Sequence, residues 1–223
     1  HEFLSRCGIS DISFFIDKCL ILRKLLSDEN EKYNLTSIRG DDEFWIKHIC
    51  DSASALLFFG DEMRSASEIC DIGSGAGFPA TVISLAVGNN VSAVESSSKK
   101  AEFIRMAASK LGIKNLKVIE KRAEEADKLP LYKAKYGIIT SRAVSSSLKI
   151  FKKTSNLISK NGRYIFYKTP RIADSELIEL EKKSNDRILW EKSETFDLPL
   201  KMGSRVFISG QIQPKFCGSI SRI

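Results

Sequence analysis

The fold class of this chain is decided by the stretch Glu68-Ile69-Cys70-Asp71-Ile72-Gly73-Ser74-Gly75-Ala76-Gly77-Phe78-Pro79. Its first five residues are typical of a short buried strand, and its three glycines are typical of a sharp turn. Pro79 suits the first position of a helix, where its missing N–H is no loss. Because a helix that follows such a turn presents free N–H groups, the stretch predicts a site for a negative or polar ligand.

The glycines are spaced G-x-G-x-G, and Asp71 stands two residues before the first of them. A dinucleotide-binding G-x-G-x-x-G would need glycine where this chain has Phe78, so a nicotinamide dehydrogenase is disfavoured. The pattern D-x-G-x-G-x-G resembles the S-adenosylmethionine (SAM) loop of class I methyltransferases. A glycine-rich turn without a ligand is the alternative, and it is disfavoured because three glycines would weaken a turn that did not need them.

Apolar segments alternate with helical patterns from residue 68 onward. Strands are predicted at 68–72, 91–95, 116–120, 136–141, 162–168, 187–192 and 204–210, and helices at 79–88, 97–111, 147–159 and 172–183. This alternation favours an α/β fold with helices on both faces of a parallel sheet. We expect the Rossmann-like, seven-stranded, mostly parallel sheet of class I SAM-dependent methyltransferases, with an N-terminal helical extension.

The N-terminal extension is predicted to contain two amphipathic helices. One covers 10–27, capped by Ser10 or Asp11, and the other covers about 42–59, capped by Asp41. His48 and Asp51 are three residues apart and therefore share a face of the second helix. The expected organisation is an extension over 1–62, a SAM-binding core over 63–212 and a C-terminal tail over 213–223.

The excess of positive over negative charge is confined to one segment of the chain. Residues 110–171 carry 16 Lys and Arg against 4 Asp and Glu, whereas residues 1–109 carry 11 against 16. A one-sided basic region suggests a polyanion such as nucleic acid as partner, although a solvated lysine-rich surface is the alternative.

Five cysteines without a C-x-x-C pair and only two histidines argue against zinc or a disulfide framework, and we expect a cytoplasmic protein without membrane spans.

Ligands of open α/β sheets bind beyond the carboxyl ends of the strands, so candidate residues are expected there. Besides the glycine loop, the ends carry Glu95, which could accept ribose hydroxyls or cap the next helix, and Arg122-Ala123-Glu124, which could read an adenine edge. Arg142 follows the fourth strand. It is predicted to project into the cleft, although surface arginines are common. Cys70 lies inside the first strand and is expected to be a small core residue.

A family resemblance rests on several motifs that occur together: Tyr33-Asn34-Leu35-Thr36, His48-x-x-Asp51-Ser52, Asp71 to Pro79, Glu95-Ser96-x-x-Lys99-Lys100, Arg122-Ala123-Glu124 and Ser141-Arg142-Ala143. In this order they resemble the small-subunit rRNA methyltransferase G family, also called glucose-inhibited division protein B. The resemblance covers about residues 30 to 210. The family usually has Asp at the position of Glu95 and Arg at that of Lys100, and both changes preserve charge.

The resemblance implies transfer of a methyl group from SAM to N7 of a guanine in 16S rRNA, with free rRNA or the small ribosomal subunit as partner. We also expect no metal and a monomeric enzyme. The cofactor contacts that the resemblance implies are Gly73, Phe78, Ala123, Glu124 and Arg142, with Glu95 near the ribose. Gly75 of the glycine loop is also expected to bind the cofactor. Arg142 is also the catalytic candidate. No general base is required, because guanine N7 carries a lone pair and no proton.

Two other function classes stay open. A methyltransferase for a small molecule or a protein would keep the glycine loop but would leave the basic segment unexplained. An RNA-binding protein without catalytic activity would explain the basic segment but not the loop. The acceptor of a labelled methyl group distinguishes these functions.

Overall fold

The computed structural model describes residues 1–38, 40–184 and 188–213, so the expected tail lies outside the described residues except for Gln213. Within these ranges the strands are β1 (Glu68–Ile72), β2 (Asn90–Glu95), β3 (Leu116–Glu120), β4 (Tyr136–Arg142), β5 (Ile158–Lys168), β6 (Ile188–Lys192), β7 (Phe196–Asp197) and β8 (Ser204–Ile212). All seven predicted strands are present. The additional strand, β7, has two residues and is too short to leave a pattern in the sequence.

The strands form one sheet in the order β3-β2-β1-β4-β5-β8-β6, and β7 pairs with β8 outside this path. β1 lies in parallel between β2 and β4, whereas β8 runs antiparallel between β5 and β6. Successive strands are therefore added on one side of β1 up to β3, and on the other side of β1 from β4 onward. In doubly wound sheets this reversal of strand order leaves a crevice at the carboxyl ends of β1 and β4.

The helices are α1 (Glu2–Arg6), α2 (Ile12–Tyr33), α3 (Asp41–Glu43), α4 (Asp51–Ala53), α5 (Leu56–Ser65), α6 (Ala80–Val87), α7 (Ser98–Leu111), α8 (Ala123–Ala126), α9 (Ser147–Lys153) and α10 (Pro170–Lys183). Asp11 caps α2 by accepting the Phe14 N–H. The helix predicted at 147–159 ends earlier, because β5 already begins at Ile158. Helix α2 runs six residues past its predicted end. The prediction stopped early because residues 28–33 continue the helix without an apolar stripe.

The second predicted helix, 42–59, is wrong as a continuous helix. Gly40 rather than Asp41 precedes its first turn, and the segment Phe44–Cys50 between α3 and α4 is π-helical. The Asp51 N–H accordingly donates to the Ile46 carbonyl, five residues back. Such π-turns are common at functional sites, and the apolar pattern gives no sign of the change in hydrogen-bond spacing.

Two apolar clusters cover the two faces of the sheet. Alternate residues of β1 divide between them: Ile69 packs with the N-terminal helices, and Cys70 and Ile72 pack on the opposite face. Cys70 is fully buried, which confirms its assignment as a core residue. The predicted boundary between the extension and the core falls inside α5, and that division stays a prediction.

In the part of the chain that the structure describes, no helix is both long and apolar enough to cross a membrane. The same residues contain no group of three or more His, Cys, Asp or Glu side chains that could hold a metal ion. The four cysteines described, Cys7, Cys19, Cys50 and Cys70, are free and buried.

Candidate functional site

The glycine loop lies at the reversal of strand order, next to the end of β4. Asp71 of β1 is in register with Thr140 of β4, and Ile72 with Ser141. Gly73, which follows β1, and Arg142, the last residue of β4, are therefore brought to the same edge of the sheet. Both residues were predicted at strand ends, and the parallel pairing of β1 and β4 makes them neighbours.

Left-handed backbone at Gly73 and Gly75 shapes the loop. Their φ angles are +72° and +59°, a conformation that other residues rarely adopt. A Cβ atom on Gly73 would collide with Val144, whereas one on Gly75 would meet nothing within 4 Å. Helix α6 begins at Ala80, one residue later than predicted, with Pro79 as its N-cap.

Glu95 connects the glycine loop to the end of β2. Its Oε2 accepts the Gly75 N–H at 2.8 Å, and its Oε1 accepts the Ser97 N–H at 2.8 Å. The expected capping role is therefore present at the start of α7, where Ser97 is the N-cap. The carboxylate also lines the cavity beside the loop, and its contact with a ribose stays a prediction.

Two neighbouring cavities contain all the predicted site residues. The first, of about 350 Å³, is lined by Gly73, Gly75, Phe78, Glu95 and Arg142 together with Leu35, Thr36, His48 and Lys100. The second, of about 210 Å³, is lined by Ala123 and Glu124 together with Lys121, Arg122 and Lys153. Gly73, Ser96 and Val144 border both cavities. The Val144 side chain therefore lies between the two halves of the predicted site.

Arg142 is anchored by three acceptors from the N-terminal extension. Its Nη1 donates to the Lys47 carbonyl at 2.7 Å and to Asp51 Oδ2 at 3.0 Å, and its Nη2 lies 3.4 Å from His48 Nδ1. The side chain is only 14% exposed, so Arg142 is not an ordinary surface arginine. Its place in the cavity wall agrees with the expected projection into the cleft.

The Asp51 carboxylate lies between two guanidinium groups. Besides Arg142, it accepts from Arg205 Nε at 2.9 Å, a residue of β8 that is 154 positions away in the chain. The expected shared face of His48 and Asp51 is present, and both side chains use it to contact Arg142. Since Asp51 is buried, loss of one partner would leave charge poorly compensated, which is the costly change for buried ion pairs.

His48 is a buried, neutral imidazole. Its ring stacks on Phe78 with centroids 4.2 Å apart, and its Nε2 lies 3.1 Å from Thr36 Oγ1. Burial, followed by the positive charge of Arg142, lowers the pKa of His48 to about 3. His48 therefore does not titrate near neutral pH.

Asp71 is the buried carboxyl group at the end of β1. Its Oδ1 accepts the Thr140 hydroxyl at 2.9 Å. Burial raises the pKa of Asp71 to about 6, although hydrogen bonds from Ser74 and Thr140 oppose the shift. A titration near pH 6 in this site would therefore belong to Asp71 rather than to His48.

Three residues of this arrangement were not among the predicted site residues. Thr36 stood in a quoted motif without a role, and Val144 followed Arg142-Ala143 without being considered. For both residues, the neighbouring motif in the sequence was a signal that could have indicated a place in the site. Arg205 had no such signal, because only the fold brings β8 to Asp51.

The family model described as rRNA small subunit methyltransferase G, GidB, matches residues 16–201. The chain belongs to this family. A Ribosomal RNA small subunit methyltransferase G of Lactobacillus helveticus is 34% identical over 160 residues, 71% of this chain and 66% of that protein. One of Mycoplasma capricolum is 35% identical over 168 residues, 75% of this chain and 70% of that protein. The match thus spans about two thirds of the length of these relatives.

Solved structures share the fold at low sequence identity. Rv0187 from MTB, solved with its cofactor bound, gives a TM-score of 0.64 at 14% identity and covers 87% of this chain and 89% of its own. A putative O-methyltransferase from Klebsiella pneumoniae gives 0.61 at 12% identity and covers 86% of this chain and 90% of its own. Together with the strand order, these likenesses confirm the class I methyltransferase fold predicted for this member of the GidB family.

Asparagine at position 75 should block the first cavity. Asn tolerates left-handed backbone, so Gly75→Asn places a side chain in the open space beside the loop at little conformational cost. Calorimetry should show at least a 100-fold loss of SAM affinity. The matched control is Gly88→Asn, since Gly88 has φ +72° and the same open surroundings at the end of α6. Equal SAM affinities of the two folded variants would contradict a cofactor site at Gly75.

Proposed function

We propose that this chain transfers a methyl group from SAM to N7 of a guanine in the 16S rRNA of the small ribosomal subunit. Membership of the family described as rRNA small subunit methyltransferase G is the observation that carries the proposal. The relatives that bear this name are longer than the segment that matches this chain. The activity and the substrate are therefore inferred for this chain. The monomeric state and the cytoplasmic location stay predictions.

The first cavity suits a nucleoside with a charged amino-acid end. Its walls offer a carboxylate at Glu95 for hydroxyl groups, a guanidinium at Arg142 for an anion, and open space above Gly75. We assign Gly73, Gly75, Phe78, Glu95 and Arg142 to the cofactor in this cavity. Ala123 and Glu124, in the second cavity, are assigned to its adenine end.

Bound SAM would supply a methyl group on a sulfonium sulfur. A lone-pair nucleophile would take that methyl group as its bond to sulfur breaks, and the sulfur would be left as a neutral thioether. The protein must then align guanine N7 with that methyl group and exclude water, and good alignment can contribute about 7–11 kcal/mol. His48 is neutral and its Nδ1 faces a guanidinium, so the side chain is poorly placed to remove a proton. This suits N7 as acceptor, since N7 has no proton to lose. We assign Arg142 as the catalytic residue, at the junction of cofactor and base.

One lysine of α9 lines the second cavity, and two more lie on the same helix. Lys149, Lys152 and Lys153 stand at i, i+3 and i+4 of the helix and share one face, and Lys153 lines the second cavity. Lys110 and Lys114 lie differently, because they precede β3 and flank the amino end of that strand. Only the first group is placed to bind RNA phosphates near the cofactor.

The function is tested by incubating the chain with methyl-labelled SAM and, separately, small ribosomal subunits, free rRNA, total protein and small-molecule extract. Label should enter 16S rRNA. N7-methylguanine makes its nucleotide sensitive to reduction and aniline cleavage, so primer extension should then stop at one guanine. Labelled rRNA without such a stop would contradict N7 as acceptor, and label in protein or small molecules would contradict the rRNA substrate.

Arg142→Lys should lower methyl transfer to rRNA by about 100-fold, because one ammonium nitrogen cannot replace both Nη1, which binds Lys47 and Asp51, and Nη2, which faces His48. The matched control is Arg163→Lys. Arg163 is similarly buried and also binds a carboxylate of the extension, Glu62, but it lies four residues before Tyr167, the partner of Arg142 in β5. Its variant should keep turnover within about threefold. Normal turnover of folded Arg142→Lys would refute the catalytic assignment.

Binding of rRNA should weaken steeply with salt, since each phosphate contact adds about 0.7–0.9 to the log–log slope. The double variant Lys149→Gln/Lys152→Gln should reduce the slope by about 1.4–1.8. Lys110→Gln/Lys114→Gln removes the same charge at the far edge of the sheet and should leave the slope unchanged. Equal effects of the two pairs, measured by filter binding, would show that α9 has no special part in binding RNA.

A further inference from the structure

The hydroxyl of Thr36 lies in the wall of the first cavity with two fixed partners. Thr36 lines this cavity together with His48 and Arg142. Its Oγ1 accepts the Ile38 N–H at 3.1 Å and lies 3.1 Å from His48 Nε2. The direction of the contact with His48 decides whether the hydroxyl hydrogen is free.

Arg142 fixes that direction. A guanidinium group can only donate, so His48 Nδ1, 3.4 Å from Arg142 Nη2, must be the acceptor. A neutral imidazole carries one proton, and with Nδ1 accepting, that proton is on Nε2. Burial and the positive charge of Arg142 keep the ring neutral. His48 Nε2 therefore donates to Thr36 Oγ1.

Both lone pairs of the Thr36 hydroxyl are then occupied, one by His48 and one by Ile38. Its hydrogen must point elsewhere, and among the described residues the structure shows no acceptor for it. Since Thr36 lines the cavity, a ligand in that cavity is the natural acceptor. The series of hydrogen bonds from Arg142 through His48 to Thr36 thus makes the hydroxyl a donor that is oriented before a ligand binds.

We propose that the Thr36 hydroxyl binds the carboxylate at the methionyl end of SAM, an inference that rests on the proposed function. The choice of a carboxylate follows from charge: Arg142 and Lys100 line the same cavity and favour an anion. The carboxylate of Glu95 would repel that end of the cofactor and suits the ribose hydroxyls instead. Thr36 is therefore a cofactor-binding residue, and His48 is a positioning residue that sets the direction of its hydroxyl.

Two variants and two cofactors test the contact with the carboxylate. Thr36→Val removes the hydroxyl at nearly the same volume, and Thr36→Ser is the control that retains it. Calorimetry should give Thr36→Val at least a 10-fold higher Kd for SAM, and Thr36→Ser a Kd within about threefold of the parent. Decarboxylated SAM should bind the parent and Thr36→Val equally, because its carboxylate is missing.

Each contrary outcome has a distinct meaning. An equal loss of affinity for SAM and decarboxylated SAM would overturn the proposal and show a purely structural role for Thr36. Unchanged SAM affinity with slower methylation of rRNA would also overturn it, and would point to a guanine oxygen as acceptor. Absence of SAM binding by the parent would overturn the proposed function as well, so the two failures are distinguishable.

Nitrogen NMR tests the series of hydrogen bonds from Arg142 to Thr36 without any ligand. The sequence has two histidines, His1 and His48, so the spectrum of His48→Gln assigns the ring signals. The long-range ¹H–¹⁵N spectrum should show His48 protonated at Nε2, with no titration between pH 5 and 9. A proton on Nδ1 would overturn the proposal, because His48 would then accept from Thr36 and leave the hydroxyl without a free hydrogen.

Discussion

The buried ion pair between Arg142 and Asp51 is the contact on which the rest of the site depends. Arg142 ends β4, at the point where the order of the sheet reverses, and Asp51 belongs to the helical segment before β1. A guanidinium at this depth needs charged or carbonyl acceptors, since an unpaired buried charge costs several kcal/mol. The N-terminal extension supplies them, and its helices are thereby held against the edge where ligands bind.

This anchoring explains why the extension contributes to the cavity as well as to the core. The π-helical segment presents the Lys47 carbonyl and the His48 ring to the same arginine, and His48 in turn stacks on Phe78 of the glycine loop. Glu95 connects the loop to the neighbouring strand through the backbone N–H groups of Gly75 and Ser97. Loop, strand ends and extension are therefore connected by hydrogen bonds, an ion pair and an aromatic stack, which orient these side chains before a cofactor enters.

Much of the fold could be predicted because its signals are local. Alternation of short apolar segments with amphipathic helices located all seven main strands, and Asp71 to Pro79 indicated the glycine loop at the end of the first. The candidate residues at strand ends were also found by a local rule, since parallel strands place their carboxyl ends at one edge. The π-helical segment was not predictable, because its hydrogen-bond spacing depends on tertiary contacts rather than on an apolar period.

By itself, the sequence determined the class of fold, the position of the glycine loop and the residue types available at the strand ends. Only the tertiary structure decided how they are joined. Asp51 meets Arg142 across 91 positions and Arg205 across 154, and no spacing rule connects residues at such separations. The same holds for the direction of the Thr36 hydroxyl, which follows from a guanidinium two hydrogen bonds away. Local patterns specify elements, whereas long-range pairing of buried charges and donors is specified only when the elements pack.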